Sequence, residues 1–146
     1  MGKDNSKQQK TTLIYGLLWL GLAVLGNING IARQYLYADV LGDLHAHQLS
    51  TLTLIVMSGI MIWFSTKKWP LSRVEAKAVG ISWFLMTVAF EFLFGHFVVG
   101  HSWARLLYDY NIRAGRVWGL VLLWVIVAPT VFTMIKNRGH DGKKAA

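Results

Sequence analysis

One carboxylate stands inside an otherwise uncharged apolar run. Glu91 is the single Asp, Glu, Lys or Arg between residues 78 and 104. A bare carboxylate in hydrocarbon costs roughly 2.5–3.5 kcal/mol on insertion scales. It must therefore be protonated or find a partner. Arg33 and Arg116 are the cationic candidates, with His47 and His96 beside them. A Glu–Arg pair would fix how helices dock. A protonatable or substrate-binding acid would mark a functional site. Both readings stay open on the sequence.

The histidines constrain that site by angle. At about 100° per residue, His96 lies roughly 140° around a helix from Glu91, so one helix face does not present both. His47 and His96 fall at similar depth on different helices, which would allow a bis-histidine haem. His45 and His47, with Asp43 or Asp109, would allow zinc, although i,i+2 spacing at a helix start is weak support. Interfacial histidines satisfied by water and backbone explain the same residues more simply. No resident cofactor or metal is expected, and b-type haem is kept as an alternative.

Further polar groups lie at the same level. Asn29 and Arg33 are four apart and share a helix face. Arg116 opens the last apolar run. The expected site is an outward-facing polar pocket of Glu91, Arg33, His47, His96, Asn29 and Arg116. Gly26, Gly30, Gly115 and Gly119 are read as packing positions, in the small-x-x-x-small manner for the first two. His47, Ser50, Thr51, Ser58 and Ser65 form a small polar stripe that should face other helices.

The elements that position these residues follow from composition. The chain has 146 residues, of which 54% are AVILMFWYC and 15% charged, with mean hydropathy +0.41. Soluble domains carry about 25% charged residues, so an ordinary water-soluble globule is unlike this chain. Disorder is excluded by the apolar content and seven Trp. The absence of Cys removes disulfides, thiol nucleophiles and cysteine metal sites. A bilayer core about 30 Å thick needs roughly 20 apolar residues per helix. Four runs meet that, at about 12–34, 46–66, 77–100 and 114–135. The expectation is an all-α membrane protein, a single four-helix bundle over 12–135 with basic tails at 1–11 and 136–146. Pro129 falls inside the fourth run, where it should kink the helix and free the carbonyl of Val125.

The charge distribution sets the orientation. The net charge is +8, and three clusters hold eleven of the fifteen basic residues. They precede the first run, link the second to the third, and follow the last. With four spans all three share one side, which the positive-inside rule places in the cytoplasm. Both termini are therefore expected to be cytoplasmic, in a bacterial inner membrane. The first span is read as retained, being too long for a signal peptide and lacking a clear A-x-A site. No nucleic-acid docking motif is present, so lipid headgroups rather than nucleic acid are the expected partners of the basic groups. Trp103, Tyr108, Tyr110 and Trp118 suit an interfacial belt, and Leu106 and Leu107 permit a short helix lying on the membrane.

Several stretches carry a resemblance together: Gly26-Asn27-x-Asn29-Gly30-x-x-Arg33, Ala46-His47-Gln48-x-Ser50-Thr51, Phe90-Glu91-Phe92-x-Phe94-Gly95-His96, Ser102-Trp103-x-x-Leu106-Leu107-x-Asp109-Tyr110-Asn111 and Gly115-Arg116-x-Trp118. Over about residues 13–135 the chain resembles an uncharacterised family of small bacterial four-helix integral membrane proteins. The resemblance implies the topology and carries no activity, cofactor or site.

No nucleophile–base–orienter set and no phosphate loop is visible. Four functions fit these residues. The first is an accessory or binding protein whose pocket holds a lipid headgroup, a small polar ligand or a partner's side chain, as a homo-oligomer or in a larger membrane complex. The second is a proton-coupled small transporter, oligomeric, with Glu91 titrating. The third is a b-type haem membrane protein. The fourth is an enzyme acting on a lipid or quinone, with Glu91 and His96 as acid and base.

Overall fold

A computed structural model describes the backbone of residues 2–144 and the side chains of 6–137. Six α-helices follow in order: α1 (Gly2–Ala32), α2 (Ala38–Leu41), α3 (Asp43–Lys68), α4 (Arg73–Phe97), α5 (Trp103–Tyr108) and α6 (Trp118–Lys144). No strand occurs among the described residues. A π-helical turn, Arg33–Tyr37, joins α1 to α2 without a break. Four stretches are long and apolar enough to cross a membrane: Ser6–Leu41, Asp43–Lys68, Arg73–Phe97 and Trp118–Asn137.

The exposed faces carry the same message. Leu13, Leu17, Leu20, Val24, Ile28 and Ile31 are each more than half exposed along one side of α1. Their three- and four-residue spacing is a helix stripe turned outward. A soluble chain rarely leaves so long an apolar face in water. Lipid is the medium in which it costs nothing.

Local chemistry explains where the elements stop. Gly42, at φ 74°, turns the chain from α2 into α3. Ser72 caps α4 in a capping box with Glu75, each binding the other's backbone N–H. The fourth spanning helix begins at Trp118, four residues later than the hydropathy run suggests. There Asn111 caps a 3₁₀ turn at Ile112–Ala114, and Gly115 adopts φ 76°. The helices also run further into the basic tails than the apolar runs do, because no proline interrupts residues 2–12 or 130–144.

In the bundle, α6 lies between α3 and α4, and α1 packs on α3 with a lighter contact to α4. The closest approach is at Gly80, where the backbone of Ile126 occupies the space a side chain would need. Gly59 admits the Trp124 ring, and Gly95 admits Leu106 of α5. The expected packing role fails at Gly30 and Gly119, where an added Cβ would meet nothing within 4 Å. Gly26 would meet only Leu54, at an ordinary 3.9 Å, and Gly115 faces Leu44.

The apolar core sits toward the end that carries both termini. Tyr15, Trp19, Leu22, Ile62, Leu71 and Trp83 form it. Its polar atoms are paired across helices. Trp83 Nε1 donates to the Tyr15 carbonyl at 2.9 Å, Tyr15 Oη to the Trp69 carbonyl at 2.7 Å, and Trp19 Nε1 to Thr87 Oγ1 at 3.1 Å. Away from water each unpaired donor would cost free energy, so these bonds also fix the register of α1 against α4.

Candidate functional site

The polar residues collect at the opposite end, in four groups. In the first, Asn29 on α1 donates to the Ser50 carbonyl at 2.8 Å and to Ser50 Oγ at 2.7 Å. Its side-chain oxygen accepts from Thr53 Oγ1 at 3.0 Å. Asn29 is thus a saturated buried crosslink between α1 and α3. The stripe containing Ser50 behaves as its spacing predicts: His47, Ser50, Thr51, Ser58 and Ser65 are all buried. Ser58 and Ser65 bond back to the carbonyls of Leu54 and Met61 in their own helix.

One turn along α1, Arg33 Nη1 donates to His47 Nδ1 at 3.1 Å. His47 is 2% exposed. Its Nε2 lies 3.4 Å from the Val117 amide. Arg33 and Val117 both offer only donors, and a neutral imidazole has one acceptor nitrogen. The shorter contact, with Arg33, takes it.

The third group surrounds Arg116. This guanidinium is buried, with the residue 3% exposed. Nη2 pairs with Asp43 Oδ2 at the start of α3. Its plane lies over the Tyr108 ring, 4.7 Å from the centroid. Nη1 is 3.7 Å from Asp109 Oδ1, too far for a hydrogen bond. Asp109 is itself paired with Arg105 at 3.3 Å. Burial works against the charge on Arg116, yet the Asp43 and Asp109 carboxylates hold it above the ordinary arginine range. Nε and Nη1 are both buried and without a hydrogen-bond partner.

The fourth group holds Glu91, about 9 Å before the end of α4 at 1.5 Å per residue. Glu91 Oε2 accepts from Tyr110 Oη at 2.5 Å and from Trp118 Nε1 at 2.8 Å. Both partners are neutral, and among the described residues Glu91 has no cation within 4 Å. The Glu–Arg pair that the sequence suggested is therefore replaced by two neutral donors. The loop between α4 and α6 folds back over the end of the bundle and delivers Tyr110. The long Arg33 side chain goes to His47 instead. Burial, and then Glu91 itself, push the Tyr110 phenol above its ordinary value.

Of the six expected residues, Arg33 and His47 meet directly, and Asn29 and Arg116 border them. Val117, whose amide faces His47, follows Arg116 in sequence. Glu91 has its own partners, and His96 faces elsewhere. His96 stacks on Trp103 with centroids 3.9 Å apart, and Nδ1 donates to the His101 carbonyl at 2.8 Å. Neither His47 nor His96 therefore turns toward the other as a haem pair would. Asp43 and Asp109 serve Arg116 rather than His45 and His47. Among the described residues no group of three or more His, Cys, Asp or Glu could hold a metal ion.

Four members of this layer were not assigned their roles by the sequence. Tyr110, Trp118 and Tyr108 pass for interfacial aromatics there. Gln48, which donates to the Gly115 carbonyl at 3.1 Å, gives no signal at all. Tyr110 carries one: a phenol beside Asp109 in a loop that must return over an acid-bearing helix end.

No protein-family model, curated protein or solved structure matches this chain.

Proposed function

We propose that this chain is a multi-pass protein of the bacterial inner membrane, with both termini in the cytoplasm, that works as an accessory or ligand-binding protein through its outer polar layer. The reading rests on Arg116. A buried guanidinium whose Nε and Nη1 both lack a hydrogen-bond partner keeps two charged donors free for oxygen acceptors. Nature seldom leaves such donors empty, because each unpaired buried donor costs about 1–3 kcal/mol. The acceptor is an oxyanion or carbonyl, carried by a lipid headgroup, a small polar ligand or a partner's side chain. Asp43 and Tyr108 hold the guanidinium in place, and the Arg33–His47 pair adds a second polar wall. Native mass spectrometry of the protein released from mild detergent tests this. A reproducible added mass or partner subunit that disappears in Arg116→Gln supports it. A bare chain, identical in mass distribution to the variant, rejects it.

A second reading, a proton-coupled small transporter acting as an oligomer, draws support from Glu91. An intramembrane carboxyl held only by neutral donors has no fixed counter-charge to resist a change of protonation. Uptake driven by a pH gradient into proteoliposomes, abolished by Glu91→Gln, supports it. Uptake unaffected by that change rejects it.

A further inference from the structure

At the end of the bundle remote from Arg116, α3 and α6 leave a groove of about 400 Å³ open to the lipid side. Ile55, Gly59, Trp63, Trp124 and Phe132 line it. Its wall is aromatic and rigid: Trp63 and Trp124 each meet Phe132 edge-on, at 5.4 and 5.7 Å. Gly59 forms the floor, since a side chain there would press on the Trp124 ring at 3.0 Å. Val56, Ile60 and Phe64 form an outer rim and are each more than half exposed. From Ile55 to Lys67 the groove axis is roughly 18 Å at 1.5 Å per residue. That is about the depth of one leaflet of a ~30 Å core.

Two ammonium groups stand at the end of this groove. Lys67 Nζ lies over the Trp63 ring, 4.3 Å from its centroid. Lys136 Nζ reaches across from α6 to the Lys67 carbonyl at 3.4 Å. Neither has a carboxylate within 4 Å among the described residues. The chain thus places one ammonium group from α3 and one from α6, neither with a carboxylate within 4 Å among the described residues, each one turn beyond an aromatic residue that lines the slot. An acyl chain satisfies the slot, and a phosphate satisfies the two lysines. We propose that this groove is a binding site for one anionic phospholipid of the leaflet that faces the termini, its chain against Trp63, Trp124 and Phe132 and its phosphate between Lys67 and Lys136. The site is independent of the outer polar layer and holds whether or not Arg116 binds a ligand.

Purified full-length chain is mixed with equimolar phosphatidylglycerol and phosphatidylcholine of the same acyl chains and examined by native mass spectrometry. The anionic lipid is expected to be retained about tenfold more than the neutral one. Lys67→Gln together with Lys136→Gln brings the ratio close to one. Ile60→Trp, which fills the slot from its exposed rim, reduces retention of both lipids. Lys10→Gln, on α1 and outside the groove, leaves the ratio unchanged, which separates this site from general attraction of anionic lipid to basic residues. Phosphatidylglycerol with brominated chains quenches the wild-type fluorescence, and Trp124→Phe removes part of that quenching. Equal retention of the two lipids, a preference that survives the double lysine change, or a dimer in which a second copy covers the groove and no lipid is held would each overturn the proposal.

Discussion

The backbone of Ile126 fills the place where a side chain on Gly80 would stand. A Cβ at Gly80 would collide with the Ile126 carbonyl oxygen and sit 3.0 Å from its carbonyl carbon. This contact joins α4 to α6, the most extensively packed pair of helices in the bundle. Carbonyl and backbone cannot swing aside as a long side chain can. Gly80→Ala should therefore force the helices apart and cost about 1–3 kcal/mol, the usual range for overpacking. Gly30→Ala, which meets nothing within 4 Å, should be neutral or stabilising by about 0.5–1 kcal/mol. Thermal unfolding of both variants in one detergent compares them directly. A Gly80→Ala protein as stable as wild type would show that the helices are not closely apposed there.

Glu91 gives a prediction in which two partners compete. Its carboxyl is held by Tyr110 and Trp118, whereas Arg33 is engaged with His47. In a double-mutant cycle, Glu91→Gln and Tyr110→Phe should be coupled by about 1.5–3 kcal/mol, the range for a hydrogen bond involving a charged group, or by less if the acid is neutral. The cycle of Glu91→Gln with Arg33→Ala should be additive within about 0.5 kcal/mol. Strong coupling to Arg33 instead would restore the ion pair.

What the sequence made legible divides along range of interaction. The four spans follow from hydropathy, because burial in lipid is a property of each segment by itself. The inward stripe of His47, Ser50, Thr51, Ser58 and Ser65 follows from helix period alone, and all five are buried. Partners are another matter. Asp43 and Arg116 are 73 positions apart, and Tyr110 reaches Glu91 through a loop whose path depends on the turn at Ser102 and the 3₁₀ turn at Ile112. Arg33, Arg105 and Arg116 with Asp43, Glu91 and Asp109 at one level allow several pairings of similar Coulomb energy, so charge type does not choose among them. Glycine spacing misled for a related reason. Gly26 and Gly30 share a face by period, yet closeness to another helix depends on which face that helix occupies. Gly80 shares the small-x-x-x-small spacing, with Ala76, that Gly30 also has, and Gly59 lacks it, so the signature does not separate tight positions from open ones.

Tyr110 predicts a loss of stability in alkali. Burial and the bond to Glu91 raise its folded-state pKa above the ordinary 10.0. A raised folded pKa means that the unfolded chain releases this proton first as pH rises. The stabilisation is therefore fully present below about pH 10 and declines above it, toward the folded pKa. Unfolding temperature in detergent should fall between about pH 9.5 and 11.5, and Tyr110→Phe should flatten that slope relative to wild type. Identical slopes in the two proteins would mean that the phenol is solvated and the Glu91 contact is not formed.

The Asp43–Arg116 pair is unequal, and the inequality makes its own prediction. The Arg116 side chain is 4% exposed and that of Asp43 is 65% exposed. Asp43→Ala removes a well-hydrated surface carboxylate, a change that usually costs less than about 0.5 kcal/mol. Here it strands a buried guanidinium whose nearest remaining carboxylate, on Asp109, is 3.7 Å away. The loss should instead approach the roughly 3–5 kcal/mol seen when one member of a buried pair is removed. Adding Arg116→Met replaces the stranded charge with an apolar side chain of similar length against Tyr108. The double variant should therefore recover much of that loss and unfold above the temperature of Asp43→Ala alone. Losses that simply add would mean that Arg116 is hydrated in the folded protein, and the unpaired Nε and Nη1 would then be served by water rather than waiting for a ligand.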